Sequence, residues 1–389
     1  MTLKKTLLAG AAGAALFAFA APVATPAEAG AIKGGAATDL TVYGQVSRGI
    51  LFYDDGAESD IRHVDADNSS TRFGFKASGK VNESVTMGAV LEMEIQSNDS
   101  NSVSQTSETD SASVAERLMN VYISHKQFGK LTMGQASAVS DGMSDGLDLS
   151  GAAFAFSGMD VQLGNGAGLA FRNDNTAGAL SSNTIAQSVG TFDRGRQDLV
   201  AYHTPSFGGL VMEAALYERG DWGIGANYDQ KHGSMQVRVR AYYENLSGNS
   251  LGSTATNNIS EVGGVYQIGA SVKHDSGVSV TGLYGKAESA NTTTTANDDA
   301  TMWSARLGYT ANMNSLGATG IAVNYLATSD WDGNGSSASV WGVGIVQDIK
   351  SAGSELYGAV NVYDRDKADS ETVDTDNIVT VVVGARVKF

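Results

Sequence analysis

Polar and apolar residues alternate along most of this chain, in runs that recur from end to end. The final run, residues 376–389, is the clearest. Val379, Val381, Val383, Ala385, Val387 and Phe389 fall on one face, and Thr380, Val382, Gly384, Arg386 and Lys388 on the other. Alternation with period 2 predicts a β-strand whose two faces meet different surroundings. Sixteen such runs are visible, at about 39–53, 71–79, 82–95, 114–125, 130–136, 196–204, 209–219, 222–230, 234–245, 260–273, 278–288, 300–312, 317–328, 338–349, 354–365 and 376–389. Several reach the ~9–11 residues that a tilted membrane strand needs. In 300–312, Trp303, Ala305, Leu307 and Tyr309 alternate with Ser304, Arg306, Gly308 and Thr310. In 234–245, Val237, Val239 and Ala241 face away from Arg238 and Arg240.

The connections alternate too. Short ones at 79–81, 126–129, 205–208, 231–233, 275–277, 314–315 and 350–353 carry Gly, Asn, Asp or Pro, which supply turn geometry. Between them lie polar segments at 54–70, 96–113, 137–195, 246–259, 289–299, 329–337 and 366–375; the exception is the tight Gly220-Asp221 link. Short turns on one rim and long loops on the other are the layout of an outer-membrane barrel. The pattern therefore predicts an all-β fold, a 16-stranded antiparallel transmembrane β-barrel in one domain, residues 30–389. Tyr and Trp near strand ends, such as Trp222, Tyr243 and Tyr325, are placed for interfacial girdles.

Composition narrows the function classes. No stretch after residue 30 stays apolar for the ~18 residues of a membrane helix, but barrel strands escape that test. Forty-seven Gly and three Pro suit closely packed strands, and the absence of Cys removes disulfides and thiolate metal sites. The net charge of −16 argues against nucleic acid as a partner. At the N-terminus, Lys4 and Lys5, the apolar run Leu7 to Ala20 and Ala27-Glu28-Ala29 predict a signal peptide over 1–29. The five His are scattered, and no G-x-S-x-G, H-E-x-x-H or phosphate-loop motif is present, so the sequence offers no enzyme reading.

Several segments resemble the Gram-negative general porin family, in its alphaproteobacterial style. Ser70-Thr71-Arg72-Phe73-Gly74-Phe75-Lys76 is similar to the family's second strand. Arg117 through Ser124, with Phe128 through Gln135, resembles the hairpin before its third loop. Tyr202 to Gly209 resembles its next turn, and Asp39 to Gln45 and the terminal Phe389 also fit. Two departures stand out: Gln135 occupies a position where the family often has Arg, and the P-E-F-G-G tip of the enterobacterial third loop is missing. The resemblance implies a passive outer-membrane channel for small hydrophilic solutes and ions, without cofactor. It also implies a homotrimer, assembly through recognition of Phe389 by the barrel-assembly machinery, and a third loop folded inward. A substrate-selective channel for anions or sugars, and a plugged structural or adhesive barrel, stay open as alternatives.

A barrel of ~16 strands leaves an aqueous channel. Its longest connection, 137–195, carries Asp141, Asp145, Asp148 and Asp160, the candidate acidic side of a constriction. Strand parity puts Arg72, Lys76, Arg238, Arg240, Arg306 and Arg386 on the lumen face, the candidate basic wall. Arg196 has no clear face. Arg117 and Arg48 fall on the apolar face by strict alternation, so a lumen role for either needs a bulge or a rim position. Asp141, Asp145 and Asp148, with Asp54 and Asp55, are hard-oxygen candidates for calcium, though their spacing matches no EF-hand loop.

Overall fold

The computed structural model describes residues 31–33, 39–109, 111–156, 159, 165–174, 179–246, 262–289 and 299–389. The expected leader and Asp160 lie outside the described residues.

The sixteen runs become sixteen strands. They are β1 (Asp39–Asp54), β2 (Arg72–Lys80), β3 (Val85–Gln96), β4 (Ser113–His125), β5 (Gly129–Ser137), β6 (Arg196–His203), β7 (Leu210–Tyr217) and β8 (Trp222–His232). The second half comprises β9 (Met235–Asn245), β10 (Val262–His274), β11 (Val278–Ser289), β12 (Ala300–Ala311), β13 (Thr319–Ser329), β14 (Ser337–Ile349), β15 (Ser354–Asp366) and β16 (Ile378–Lys388). Every neighbour pair is antiparallel. The ring closes where β16 pairs with β1, from Gln45↔Lys388 to Asp54↔Val379. Two short strands, Ala31–Lys33 and Ser59–Val64, add to β1, so the sheet has eighteen strands in all.

The seam is tight. Gly44 and Phe389 exchange backbone hydrogen bonds of 2.9 and 3.0 Å. The Phe389 ring lies against Gly44, where an added Cβ would sit 2.5 Å from the ring and 2.7 Å from the Arg72 carbonyl oxygen.

Parity holds around most of the cylinder. Trp303, Leu307, Trp341 and Val343 are about half exposed on the outside, at 48, 58, 59 and 53%. Their in-between neighbours Ser304, Arg306, Gly342 and Gly344 are buried inside. An apolar outside around a polar inside satisfies every strand hydrogen bond without water, as a lipid-facing wall must. Trp303, Tyr325 and Trp341 pack as tilted rings with centroids 4.9 and 4.4 Å apart, forming part of an aromatic girdle.

Among the described residues of the barrel, parity breaks at two bulges, one at Val262/Gly264 and one on β4 that alters the lumen. Glu92 pairs with Leu118, but Met93 pairs with Glu116, so Arg117 is the extra residue. A bulge re-aims its side chain. Arg117 thereby reaches carboxylates on β3 instead of lipid. Arg48 receives no such correction. It stays on the outer parity with Val46, paired to Asp65 at 3.5 Å and donating to the Ser97 carbonyl at 2.9 Å.

Candidate pore constriction

The 138–195 connection folds into the barrel. It carries three short helices: α1 (Met143–Leu147), α2 (Ala153–Phe156) and α3 (Ile185–Ser188). The loop can come this close because the lumen face beneath it lacks side chains. A Cβ on Gly344 would meet the Phe156 ring at 2.6 Å, and one on Gly320 would run into the Gly151 backbone. Leu147, Phe154, Phe156, Met159 and Phe192 are buried against the wall and hold the loop in place. Later in the loop, residues 170–173 pair with Leu180–Thr184 and with Thr375–Asp376 of the last connection, tying the loop to that rim.

Most of the expected basic residues turn out to anchor this loop. Arg306 pairs with Asp148 at 2.9 Å with both side chains fully buried, and it also donates to Asn324 Oδ1 at 2.9 Å. Arg238 donates to the Gly146 carbonyl at 2.6 Å and pairs with Asp229, while Arg240 donates to the Gly142 carbonyl at 2.8 Å. Arg386 pairs with Glu355 and lies 3.6 Å over the Phe154 ring. Asp148 is therefore a clamp on the wall, contrary to its expected role as a pore-lining acid. Arg306 and Arg386 likewise hold the loop.

The charges left facing open space are fewer and closer together. Asp145 is exposed on α1. Asp141 lies 3.6 Å from Arg196 Nε. Across the gap stands a wall of Arg72 and Arg117 threaded with Glu92 and Glu94. Arg117 Nε lies 2.7 Å from Glu92 and its Nη1 3.2 Å from Glu94, and Arg72 lies 3.9 Å from Glu92. Two cavities of about 460 and 480 Å³ adjoin here and share Tyr43, Glu92, Leu118 and Ser137. Asp141 and Arg240 line the first; Arg72, Arg117 and Arg196 line the second. A third space of about 320 Å³, lined by Asp145, Asp148, Glu355 and Arg386, lies beside the loop.

The enclosing wall changes two loop carboxyls. Burial within the barrel, with the Asp141 charge adding, pushes Asp145 up to about 6 although its side chain meets lumen water. Burial pushes Asp193 up to about 7, against the opposing hydrogen bonds from Ser144. Asp193 accepts from the Ser144 amide at 3.0 Å and from Gln267 at 2.9 Å, holding the return of the loop to the start of α1.

Asp141, Arg72, the bulge-turned Arg117 and Arg196 thus line adjoining cavities, and Asp145 lines the space beside the loop. Lys76 lines the first cavity. Sequence reasoning missed Glu92 and Glu94, although their alternation with Leu91, Met93 and Ile95 puts both on the lumen face. Asp193 carried no such signal. The calcium trio does not converge, because Asp148 is committed to Arg306 and Ser150. Among the described residues, no group of three His, Cys, Asp or Glu is placed to hold a metal.

A family model described as Gram-negative porin matches residues 7–368. No curated protein matches the chain. Among solved structures, an anion-selective porin from Comamonas acidovorans is similar at TM-score 0.59 and 15% identity, over 90% of this chain and 100% of that one. OmpT of Vibrio cholerae in a trimer form is similar at TM-score 0.54 and 14% identity, covering 91% and 100%. The outer membrane channel DcaP of Acinetobacter baumannii is similar at TM-score 0.53 and 13% identity, covering 92% and 99%. At these identities the structural likeness speaks for the fold.

Proposed function

The chain belongs to the Gram-negative porin family, an outer-membrane diffusion channel, and we propose that solutes cross it through a transverse field at the inward-folded loop. The acidic side is Asp141 and Asp145. The basic side is Arg72 and Arg117, held by Glu92 and Glu94, with Arg196 set beside Asp141. The observation that carries this reading is the placement of Asp141, Arg72, Arg117 and Arg196 around two adjoining cavities, with Asp145 on the space beside the loop. Low-dielectric walls focus such a field, so a polar solute exchanges water for oriented charge as it passes. An apolar solute gives up ordered water and gains nothing.

The embedded glutamates and the net charge of −16 favour a mild cation preference. The channel does no chemistry and takes no cofactor in this reading. After removal of the 1–29 leader it inserts through Phe389 and assembles as a homotrimer. The similar Vibrio cholerae structure described as a trimer form, and the outward Met119, Val121, Ile123, Leu131 and Met133 on β4 and β5, support that assembly. Reversal potentials in a salt gradient test the field. Asp141→Asn with Asp145→Asn should move selectivity toward anions. An unchanged reversal potential refutes the assigned acidic side.

A further inference from the structure

The constriction leaves three cations without a carboxylate. Among the described residues, Lys76, Lys130 and Arg240 have no acidic group at ion-pair distance, and all three line the cavity of about 460 Å³. The acids of that cavity are already engaged: Glu92 with Arg117, Asp141 with Arg196, and Glu213 with His203 at 3.0 Å. Arg240 is turned to the Gly142 carbonyl, which leaves the two lysines.

Both lysines belong to the half of the barrel nearest the short turns. Lys130 follows the β4–β5 turn by one residue, and Lys76 lies four residues before the end of β2. Each is steadied by a ring on the inner face, Lys76 over Tyr43 at 4.5 Å and Lys130 over Tyr122 at 4.9 Å. Both face the same cavity. Thr132, which lines the same cavity, is 5% exposed and its hydroxyl has no hydrogen-bond partner among the described residues. Buried hydroxyls are normally partnered. Two ammonium groups and an idle hydroxyl in one polar space of ligand size make a receptor for negative charge.

We propose that this inner vestibule, on the periplasmic side of the constriction, is a holding station for small dicarboxylates, with Lys76 and Lys130 each taking one carboxylate. The proposal rests on the channel reading and adds a solute class to it. An anion that has passed the acidic loop gains two charge-assisted contacts there, and entry from the periplasmic side meets the lysines first. The channel is then asymmetric: it discriminates by side as well as by charge.

The test is current recording from the full protein in planar bilayers, with succinate or the neutral isostere succinamide added to one side. Millimolar succinate on the short-turn side should produce excess open-channel noise, and succinamide none. Lys76→Gln with Lys130→Gln should lower the succinate effect about tenfold, the scale on which a charged cleft raises local ion concentration. Lys80→Gln, outside the cavity, should leave it intact. Succinamide as effective as succinate, or a double variant that responds like the wild type, overturns the station. A wild-type protein that carries no KCl current at all overturns the channel reading and the station with it.

Discussion

Asp148→Ala separates a clamp from a pore-lining acid. The Asp148 carboxylate accepts from Arg306 at 2.9 Å, from the Ser150 hydroxyl at 2.6 Å and from the Ser150 amide at 2.9 Å. Arg306 sits on β12 and Asp148 on the loop, so the pair ties loop to wall. Removing one partner of a buried pair costs about 3–5 kcal/mol, because the remaining charge lies in a poorly solvated place. At about 1.4 kcal/mol per decade, the docked-to-undocked ratio of the loop falls by roughly two to three and a half decades. Apolar anchors oppose that loss. Leu147 and Phe156 are fully buried, Phe154 nearly so, and each such side chain is worth about 1.5–3 kcal/mol.

The anchors are comparable to the loss, so the loop stays docked on average but leaves more often. Single-channel recordings should show flickering excursions at least about tenfold more frequent than wild type, with a modest change in mean conductance. Asp148→Leu with Arg306→Met should suppress the flicker, since apolar replacement of a buried pair is often neutral or stabilising. Asp145→Asn, at an exposed position, should change selectivity and leave the flicker alone. An Asp148→Ala channel as quiet and as heat-stable as wild type refutes the clamp.

Acidity gives a further prediction. The Asp145 and Asp193 carboxyls are raised to about 6 and about 7, so both are charged at about pH 8 and neutral at about pH 5. Cation preference should fall on acidification, with a midpoint between about 6 and about 7 that Asp145→Asn with Asp193→Asn removes; a midpoint near the ordinary carboxylate value, about 4, refutes it. For stability the sign follows from raised folded-state values: the contribution is complete below the unfolded carboxylate range and is lost as pH rises through 6 to 7, so these two groups make the loop more heat-stable in acid. Gly44→Ala puts a methyl into the Phe389 ring and should cost about 1–3 kcal/mol of overpacking, read as a lower temperature for loss of the folded band in detergent gels. Arg117→Ala removes positive charge from the gap and should raise cation preference, read as a shifted reversal potential.

The strands were legible because each carries its own evidence. A wall with lipid outside and water inside forces period 2 into every segment, so residues such as Trp303 and Arg306 declare their faces locally. The bulge at Arg117 was not legible, since one extra residue leaves no mark in composition. Parity flagged Arg117 as anomalous without saying how the anomaly is resolved. The loop was the least readable part. Whether Asp148 lines the pore or clamps the wall depends on Arg306, 158 positions away and on another strand. The glycines that admit the loop, Gly320 and Gly344, look from sequence like ordinary strand glycines.

Water runs through the barrel beside the inward-folded loop. Unitary conductance of the purified protein in planar bilayers tests it most directly. The expected result is discrete, reproducible steps in KCl that shrink when small neutral polymers enter the lumen and not when larger ones are excluded. Folded, inserted protein that gives no steps would mean that the loop seals the lumen and that no water path exists.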